Sequence, residues 1–210
     1  MSVQVQPGRD ASAAGSRAFL DGRVAASNRD GEAYFARHAH DIAACAAAMA
    51  DRFFAGGMLL VFGSGPHATD AQHNSVEFVH PVLPGCRALP ALSLTNDIAT
   101  ITGGLDGDAA SEVYAHQLRV LGRPGDIALA LAHAPLPESI TRGLSAATGA
   151  GMLTIALLAG HGDGCTEADF VFHATCADRD AAHEMHLATY HMLWELVHIV
   201  LNHRGIGAGS

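Results

Sequence analysis

The first part of the chain has a helical pattern of apolar residues. Four apolar side chains recur there at intervals of three and four positions: Ile42, Cys45, Met49 and Phe53. This spacing predicts a helix that ends at the glycine pair 56–57. We expect a helical arm over 16–56, with a break at 28–31, where the sequence reads Asn-Arg-Asp-Gly. Residues 1–15 are rich in Gly, Ser and Ala and lack periodicity, which predicts a flexible tail.

Beyond the arm, short apolar runs alternate with amphipathic stretches. The runs predict five strands, at 58–62, 88–94, 127–131, 152–158 and 170–173. The stretches between and after them predict helices, the last and longest over 180–202. Strands without polar alternation are typical of a parallel sheet that is buried on both faces. We therefore predict one α/β domain over 57–205, a doubly wound five-stranded parallel sheet with helices on both faces. Ligands bind such sheets at the carboxyl ends of the strands.

Composition and charge narrow the class of protein. The 210 residues are 49% apolar and 16% charged, which is typical of a globular domain. The formal charge of −9, with no basic cluster, argues against nucleic-acid and anionic-membrane partners. No apolar run can span a bilayer, and residues 1–15 lack the pattern of a signal peptide. The four cysteines show no CxxC spacing, which favours a reduced, cytoplasmic location.

Histidine is the residue with unusual usage. The chain has 14 histidines, roughly three times the ordinary usage of about 2%. His73 and Glu77 are four residues apart on a predicted helix, so they can hold one cation, although the same spacing also makes ordinary solvated ion pairs. The predicted closing helix, together with the residue that follows it, carries five more: His183, His186, His191, His198 and His203. For His198 and His203 we expect a structural or surface role.

Two loops and a helix start carry further candidate residues. The Gly-Ser-Gly turn at 63–65 would let backbone N–H groups approach an anion, but Pro66 and His67 follow it, so a dinucleotide site is not supported. Thr95 and Asp97 follow a predicted strand and are candidates for binding sugar hydroxyls. Asp70 is a weaker candidate, because a carboxylate near a helix start is also explained by the helix dipole.

Several segments together carry a resemblance to a known family. Residues 55–73 read AGGMLLVFGSGPHATDAQH, and Glu77 follows. This segment resembles the start of a sugar isomerase (SIS) domain, most of all in the phosphoheptose isomerase branch, where AGG, a strand, a GNGGS turn and DAxHxxxE follow one another. The segment HEMHLATYH at 183–191 resembles the QEVHxxxxH of the family's closing helix. The resemblance implies a homotetramer or homodimer, for which 39–54 and the stretch around Trp194 would supply apolar contacts.

The resemblance also implies a metal and a reaction. It implies one zinc, or another divalent metal such as nickel or iron, held by His73, Glu77, His183 and His191, with His183 in place of a family Gln. The reaction would be aldose–ketose isomerisation of a sugar phosphate such as sedoheptulose 7-phosphate, in which Glu77 and His191 move protons. A carboxylate bound to a metal is a weaker base, so the two roles of Glu77 compete.

The segments that would bind the substrate's phosphate depart from the family. Residues 132–139 read AHAPLPES where the family has a hydroxyl-rich loop resembling STSGNS. His67 and His133 replace hydroxyl side chains, and Ser64 replaces the Asn of GNGGS. Each lost hydrogen bond to a phosphate costs about 1.5–3 kcal/mol, which predicts an altered substrate. His67 and His133 then bind another anion or a second cation, or they mark a pocket that has lost its ligand. A non-catalytic SIS-domain protein that binds a metal or ligand, or assembles with a partner, is the alternative.

Overall fold

A five-stranded parallel sheet forms the centre of the computed structural model, which describes residues 12–81, 85–104, 107–161, 167–176 and 178–205. The strands are β1 (Leu59–Gly63), β2 (Ala91–Ser93), β3 (Ile127–His133), β4 (Leu153–Ala159) and β5 (Phe170–Ala174). Their order is β2-β1-β3-β4-β5, and every neighbouring pair is parallel. The predicted fold class is therefore confirmed. From β1 the chain first adds β2 on one side and then crosses over to add β3 on the other side. Open α/β sheets bind ligands at such a switch point, here between β1 and β3.

Helices cover both faces of this sheet. They are α1 (Ala13–Phe54), α2 (His67–Val79), α3 (Ile98–Gly104), α4 (Val113–Leu121), α5 (Glu138–Gly149) and α6 (Arg179–His203), with a 3₁₀ turn at Gly107–Glu112. Alternate residues of each strand point to opposite faces. Leu59 and Val61 pack with side chains of α1, α2 and α6, whereas Leu60 and Phe62 pack with side chains of α4 and α5. The sheet thus separates two apolar cores.

The N-terminal helix α1 corrects two expectations. It runs unbroken through 28–31, so the predicted break there is wrong. A glycine inside a helix costs only about 1 kcal/mol, and contacts with α6 offset that cost: Ser27 donates to Glu184 at 3.0 Å, and the hydroxyls of Tyr34 and Thr189 lie 2.9 Å apart. The helix also begins inside the predicted tail, because the Ser12 hydroxyl caps it by accepting the Gly15 N–H. Residues 1–11 of that tail lie outside the described residues.

The apolar face of 39–54 lies inside the subunit. Ile42, Cys45 and Met49 are at most 4% exposed, and they pack with the core that α6 and the sheet share. Trp194 is buried in the same core. The expectation that these segments form contacts between subunits is therefore wrong, because the subunit's own sheet and helices already cover them.

Helix α3 was missed in the sequence. It has no buried residues, so it leaves no apolar periodicity to recognise. Its start is held by Asp97, whose carboxylate accepts hydrogen bonds from the N–H groups of Ala99 and Thr100 and from the Thr100 hydroxyl. The segment after β2 is thus a short loop followed by a helix.

A close approach at the end of β1 sets the position of α2. A Cβ atom on Gly63 would lie 2.3 Å from the His67 carbonyl oxygen, so only glycine lets the helix start this near the strand. The Thr95 hydroxyl donates to the Ala68 carbonyl at 3.1 Å and ties the loop after β2 to the same helical turn. These contacts fix the first turn of α2 at the carboxyl edge of the sheet.

The cysteines form no disulfide among the described residues. Cys45 is buried, Cys86 and Cys176 are half-buried, and all three are free thiols. Cys165 lies outside the described residues.

Candidate active site

Helices α2 and α6 run side by side in the same direction and meet through three polar contacts. These join His183 to Asp70, Tyr190 to His73, and Trp194 to Glu77. The residue numbers rise together on both helices, so the contacts follow one another along the interface. Asp70, His73 and Glu77 are spaced three and four residues apart and therefore share one face of α2. This interface contains the residues that the sequence singled out.

Three of the predicted ligands converge at the C-terminal end of this interface. One ligand atom from each of His73, Glu77 and His191 lies within 4.8 Å of the other two, and all three residues are half-buried. His73 Nε2 and Glu77 Oε1 are 3.1 Å apart. Two imidazoles and a carboxylate are a common ligand set for zinc, and three protein ligands leave a position for substrate or water. The donor set therefore fits a divalent transition metal. We call these three residues the triad.

Buried neighbours hold the triad in place. The Tyr190 hydroxyl lies 3.0 Å from His73 Nδ1, and Tyr190 is 1% exposed. The Trp194 indole N–H donates to the backbone carbonyl of Glu77 at 2.8 Å. Contacts to the second ring nitrogen of a ligating histidine fix the ring's orientation and direct its other nitrogen to the metal. Tyr190 was not among the predicted site residues, although it directly precedes His191.

His183 is not part of this group. Its Nε2 lies 2.7 Å from Asp70 Oδ1, and His67 Nδ1 lies 3.0 Å from Asp70 Oδ2. Burial alone would raise the pKa of Asp70, but the hydrogen bonds from His67 and His183 outweigh burial and hold that pKa below its usual value. Asp70 is therefore an ionised carboxylate that accepts a hydrogen bond from each imidazole. The structure brings three of the four expected ligands together and pairs the fourth with Asp70.

A group of histidine rings lies beside Asp70. The ring centre of His67 is 4.7 Å from that of His133 and 5.7 Å from that of His186. His67 and His186 are at most 1% exposed, and His67 Nε2 and both ring nitrogens of His186 have no hydrogen-bond partner among the described residues. Burial lowers the pKa of His133, and it lowers that of His186 to about 3, so both rings are neutral near neutral pH. The proximity of His67 and His133 is what a shared ligand would require.

The remaining candidates from the sequence lie in other surroundings. The Thr95 hydroxyl is hydrogen-bonded to Ser93 and to the Ala68 carbonyl, and Asp97 is exposed and caps α3. Hydrogen bonds from Thr100 hold the pKa of Asp97 below its usual value. Ser64 follows β1 and is half-buried. The roles of these three side chains in substrate binding stay predictions.

The two histidines that we expected to be structural lie away from the triad's ligand atoms. The His198 ring lies against the carbonyls of Trp194 and Arg87, at 2.8 and 3.0 Å. His203 is exposed in the last turn of α6. His186 was missed as a buried group, although it lies four residues from Ala182 and Tyr190 on the buried face of α6. That spacing was the signal in the sequence that could have identified His186 as buried.

Comparisons with known proteins agree with this fold. The family model described as "SIS domain" matches residues 25–159, and the chain belongs to the SIS-domain family. Its relatives in that family include phosphoheptose isomerases. The phosphoheptose isomerase of Chlorobaculum tepidum is 35% identical over 181 residues, which cover 83% of this chain and 86% of that protein. The predicted resemblance to the phosphoheptose isomerase branch is thus confirmed.

Two solved structures of phosphoheptose isomerases have a similar fold. A phosphoheptose isomerase from Francisella tularensis superposes with a TM-score of 0.77 at 26% identity, over 87% of this chain and 97% of that one. The phosphoheptose isomerase from Neisseria gonorrhoeae gives a TM-score of 0.76 at 22% identity, over 86% and 97% of the two chains. Among the helices of the described residues, none combines the length and apolar character that a membrane crossing needs.

Proposed function

We propose that this protein is a metal-dependent aldose–ketose isomerase of the phosphoheptose isomerase type. The observation that carries the proposal is the convergence of His73, Glu77 and His191, whose ligand atoms lie within 4.8 Å of one another. This donor set can hold zinc, nickel or iron. The substrate class rests on the relatives, whose name describes the isomerisation of a heptose phosphate.

The proposed reaction needs two proton movements. Converting an aldose to a ketose moves one proton from C2 to C1 and another from the C2 oxygen to the C1 oxygen. When bound, a divalent metal polarises these oxygens and stabilises the negative charge that develops on them. Glu77 has two carboxylate oxygens, so one can serve as a ligand while the other moves the proton between the carbons. The family resemblance assigns further proton transfer to His191, and that role competes with metal ligation.

We propose that the substrate differs from a typical heptose phosphate at the end remote from the metal. The resemblance places the phosphate between residues 64–67 and the loop after β3. His67 and His133 lie there with their ring centres 4.7 Å apart, and burial lowers the pKa of His133, so that ring is neutral. A phosphate dianion gains little from such surroundings, so we infer a substrate with less negative charge at this end.

The proposed assembly is a homo-oligomer. Phe19, Leu20 and Val24 lie on the first half of α1 and are 47%, 56% and 56% exposed. Large apolar side chains that cluster on one exposed segment are typical of an interface. Leu20→Glu should then reduce the molar mass measured by light scattering, while Ala36→Glu serves as a matched control at an exposed position farther along the same helix. An unchanged oligomer in Leu20→Glu would contradict this assignment. The cytoplasmic location stays a prediction.

Metal loading followed by an isomerase assay tests the central proposal. The protein would be stripped with a chelator, reloaded separately with zinc, nickel or iron, and assayed with sedoheptulose 7-phosphate and with sedoheptulose. We expect one metal per chain and faster turnover of the less charged sugar. His73→Ala should lose both metal and turnover, because it removes one ligand. His116→Ala should retain both, because His116 is an exposed residue of α4.

The same assay separates the alternative. A non-catalytic SIS-domain protein would bind the metal at the triad but convert neither sugar. The departures of 132–139 from the family's loop favour this alternative, whereas the convergence of the triad favours the enzyme. Stoichiometric metal without turnover of either sugar would overturn the proposed isomerase.

A further inference from the structure

We propose that His67 and His133 form a pair of hydrogen-bond acceptors that binds the terminal vicinal diol of an unphosphorylated sugar. This inference rests on the proposed isomerase function, and it names the chemical group that the substrate carries at the end remote from the triad. It follows from the tautomer of each ring, from the burial of the acceptor atom of His67, and from the distance between the pair and the triad.

Asp70 determines which nitrogen of His67 carries a proton. An ionised carboxylate can only accept hydrogen bonds, and Asp70 Oδ2 lies 3.0 Å from His67 Nδ1, so the proton is on Nδ1. His67 is 1% exposed, and its Nε2 is buried with no hydrogen-bond partner among the described residues. A second proton there would leave a buried N–H group without an acceptor, which is costly. Nε2 of His67 therefore presents a lone pair.

His133 presents a lone pair in the same way. Its Nδ1 lies 3.8 Å from the position of a Cβ atom on Gly160, and a hydrogen bond with the backbone of Ala159 partly offsets the lowering of its pKa. A backbone carbonyl only accepts, so this contact puts the proton on Nδ1 and leaves the lone pair on Nε2. Because burial lowers the pKa of His133, the ring carries no second proton near neutral pH.

The two rings are close enough to bind adjacent hydroxyl groups. Their centres are 4.7 Å apart and their planes are inclined at 53°, so the rings are not stacked face to face. A hydroxyl has one proton to donate, so two lone pairs require two hydroxyls. The C6 and C7 hydroxyls of an unphosphorylated heptose are on neighbouring carbons and meet this requirement. His133 is half-buried, so a ligand reaches the pair from the side of this ring.

A phosphate at C7 does not suit this pair. As a dianion it has oxygen acceptors but no proton to donate to an imidazole lone pair. The N–H groups of residues 67–69, at the start of α2, donate to the carbonyls of residues 64–66 at 3.0–3.3 Å and are thus less available to an anion. The ionised carboxylate of Asp70 beside His67 would repel a second anion. The pair therefore favours a neutral donor over a phosphate.

A nearby cation disfavours an ammonium group as that donor. Arg179 lies close enough to His133 for its charge to lower the pKa of that ring. A positively charged ligand at the pair would meet the same repulsion, whereas a hydroxyl would not. Arg179 itself is exposed, so solvent screens its attraction for a phosphate. The hydroxyl is thus the donor that fits both charges in the neighbourhood.

The pair lies at a distance from the triad that a sugar can span. His67 precedes His73 by six residues on α2, which is about 9 Å along the helix axis. A seven-carbon sugar with its C1 and C2 oxygens at the triad extends its terminal carbons over a comparable distance. Asp70, between these two histidines on α2, contacts both His67 and His183, so His67 adjoins the same interface of α2 and α6.

Three sugars test the diol in the metal-loaded wild type. Sedoheptulose has hydroxyls at C6 and C7, 7-deoxysedoheptulose lacks the second hydroxyl at the same charge, and sedoheptulose 7-phosphate has an anion in its place. We expect kcat/KM to be about 10–100-fold lower for the deoxy sugar and for the phosphate, because a buried acceptor loses its donor. The change should be in KM more than in kcat, since the contact is remote from the reacting carbons.

Two variants assign the preference to the pair. His67→Asn keeps an N–H group for Asp70 and removes the acceptor, and His133→Ser introduces a hydroxyl that can donate. Each should lower the preference for sedoheptulose over its 7-phosphate by about 10-fold. A defect of folding alone lowers kcat/KM for both sugars and leaves their ratio unchanged. His116→Asn, at an exposed position of α4, is the matched control. ¹⁵N NMR of the wild type should show the proton of both rings on Nδ1.

The outcomes separate this inference from the proposed function. If 7-deoxysedoheptulose is converted as efficiently as sedoheptulose, if either variant keeps the wild-type ratio, or if either ring carries its proton on Nε2, the acceptor pair is overturned while the isomerase stands. A preference of the wild type for the 7-phosphate would overturn the pair as well. If the metal-loaded wild type converts none of the three sugars, the proposed function fails, and this inference fails with it.

Discussion

His186 makes the free energy of unfolding of this protein depend on pH. The residue is 0% exposed, and its ring nitrogens have no hydrogen-bond partner among the described residues. Burial, helped by the nearby His67, lowers the pKa of His186 from 6.5 to about 3. The unfolded chain therefore binds a proton between these two pH values that the folded protein does not bind. Since protons favour the unfolded state in this window, the free energy of unfolding falls as the pH drops from 6.5 towards 3.

The size of the effect follows from the shift in pKa. Each unit of difference is worth about 1.4 kcal/mol. The drop from 6.5 to about 3 therefore removes as much as about 4–5 kcal/mol of stability over the whole window. A change from pH 7 to pH 5 removes about 2 kcal/mol of it. Asp70 contributes little in this interval, because its pKa is held below its usual value and it stays ionised in both states.

Urea unfolding of the metal-free protein at pH 7 and pH 5 measures this contribution. His186→Leu removes the titrating ring, so the variant should lose about 2 kcal/mol less than the wild type between the two pH values. His40→Leu, at an exposed position on α1, should follow the wild type. Protein concentration is kept constant, because the unfolding of an oligomer depends on it. Equal losses in the wild type and His186→Leu would refute the reasoning.

Two further predictions concern other parts of the structure. Gly63→Ala places a Cβ atom 2.3 Å from the His67 carbonyl oxygen and should destabilise the protein by about 1–3 kcal/mol in thermal unfolding. The control Gly22→Ala meets open space in α1 and should stabilise the protein by as much as about 1 kcal/mol. Equal effects of the two substitutions would contradict the close approach of α2 to β1. Tyr190→Phe removes the hydroxyl at His73 Nδ1 and should weaken metal binding by about 10–100-fold in chelator competition, and unchanged affinity would show that the contact does not orient the ligand.

The sheet was predictable because its strands are buried on both faces. The run at 58–62 is apolar throughout, and the strand observed at Leu59–Gly63 is buried at every position. The break at 28–31 was predicted from local propensity, which is weak against tertiary contacts. The contacts that keep α1 helical there are those of Ser27 and Tyr34 with α6, more than 150 residues away in the chain. A single sequence contains no local signal for such contacts.

The candidate site was likewise predictable only where a local pattern or the family resemblance indicated its residues. The spacing of His73 and Glu77 is a local property of one helix, and the family resemblance supplied His191. The contact of His183 with Asp70 joins residues that are 113 positions apart, and no pattern within either helix predicts it. The resemblance placed His183 among the ligands because a Gln ligates at that position in the family.

The buried histidines connect the stability of this protein with its candidate site. A leucine at 186 would fill similar space without a polar atom to desolvate, so the fold gains no stability from the imidazole there. His186 nevertheless lies against His67, which holds Asp70 from one side while His183 holds it from the other. Residues that break a local packing rule are expected at functional sites. The acid sensitivity of the fold comes from the burial of His186. The ring of His186 lies 5.7 Å from that of His67, which shares the buried carboxylate of Asp70 with His183, so the same group of imidazoles also lines the candidate site.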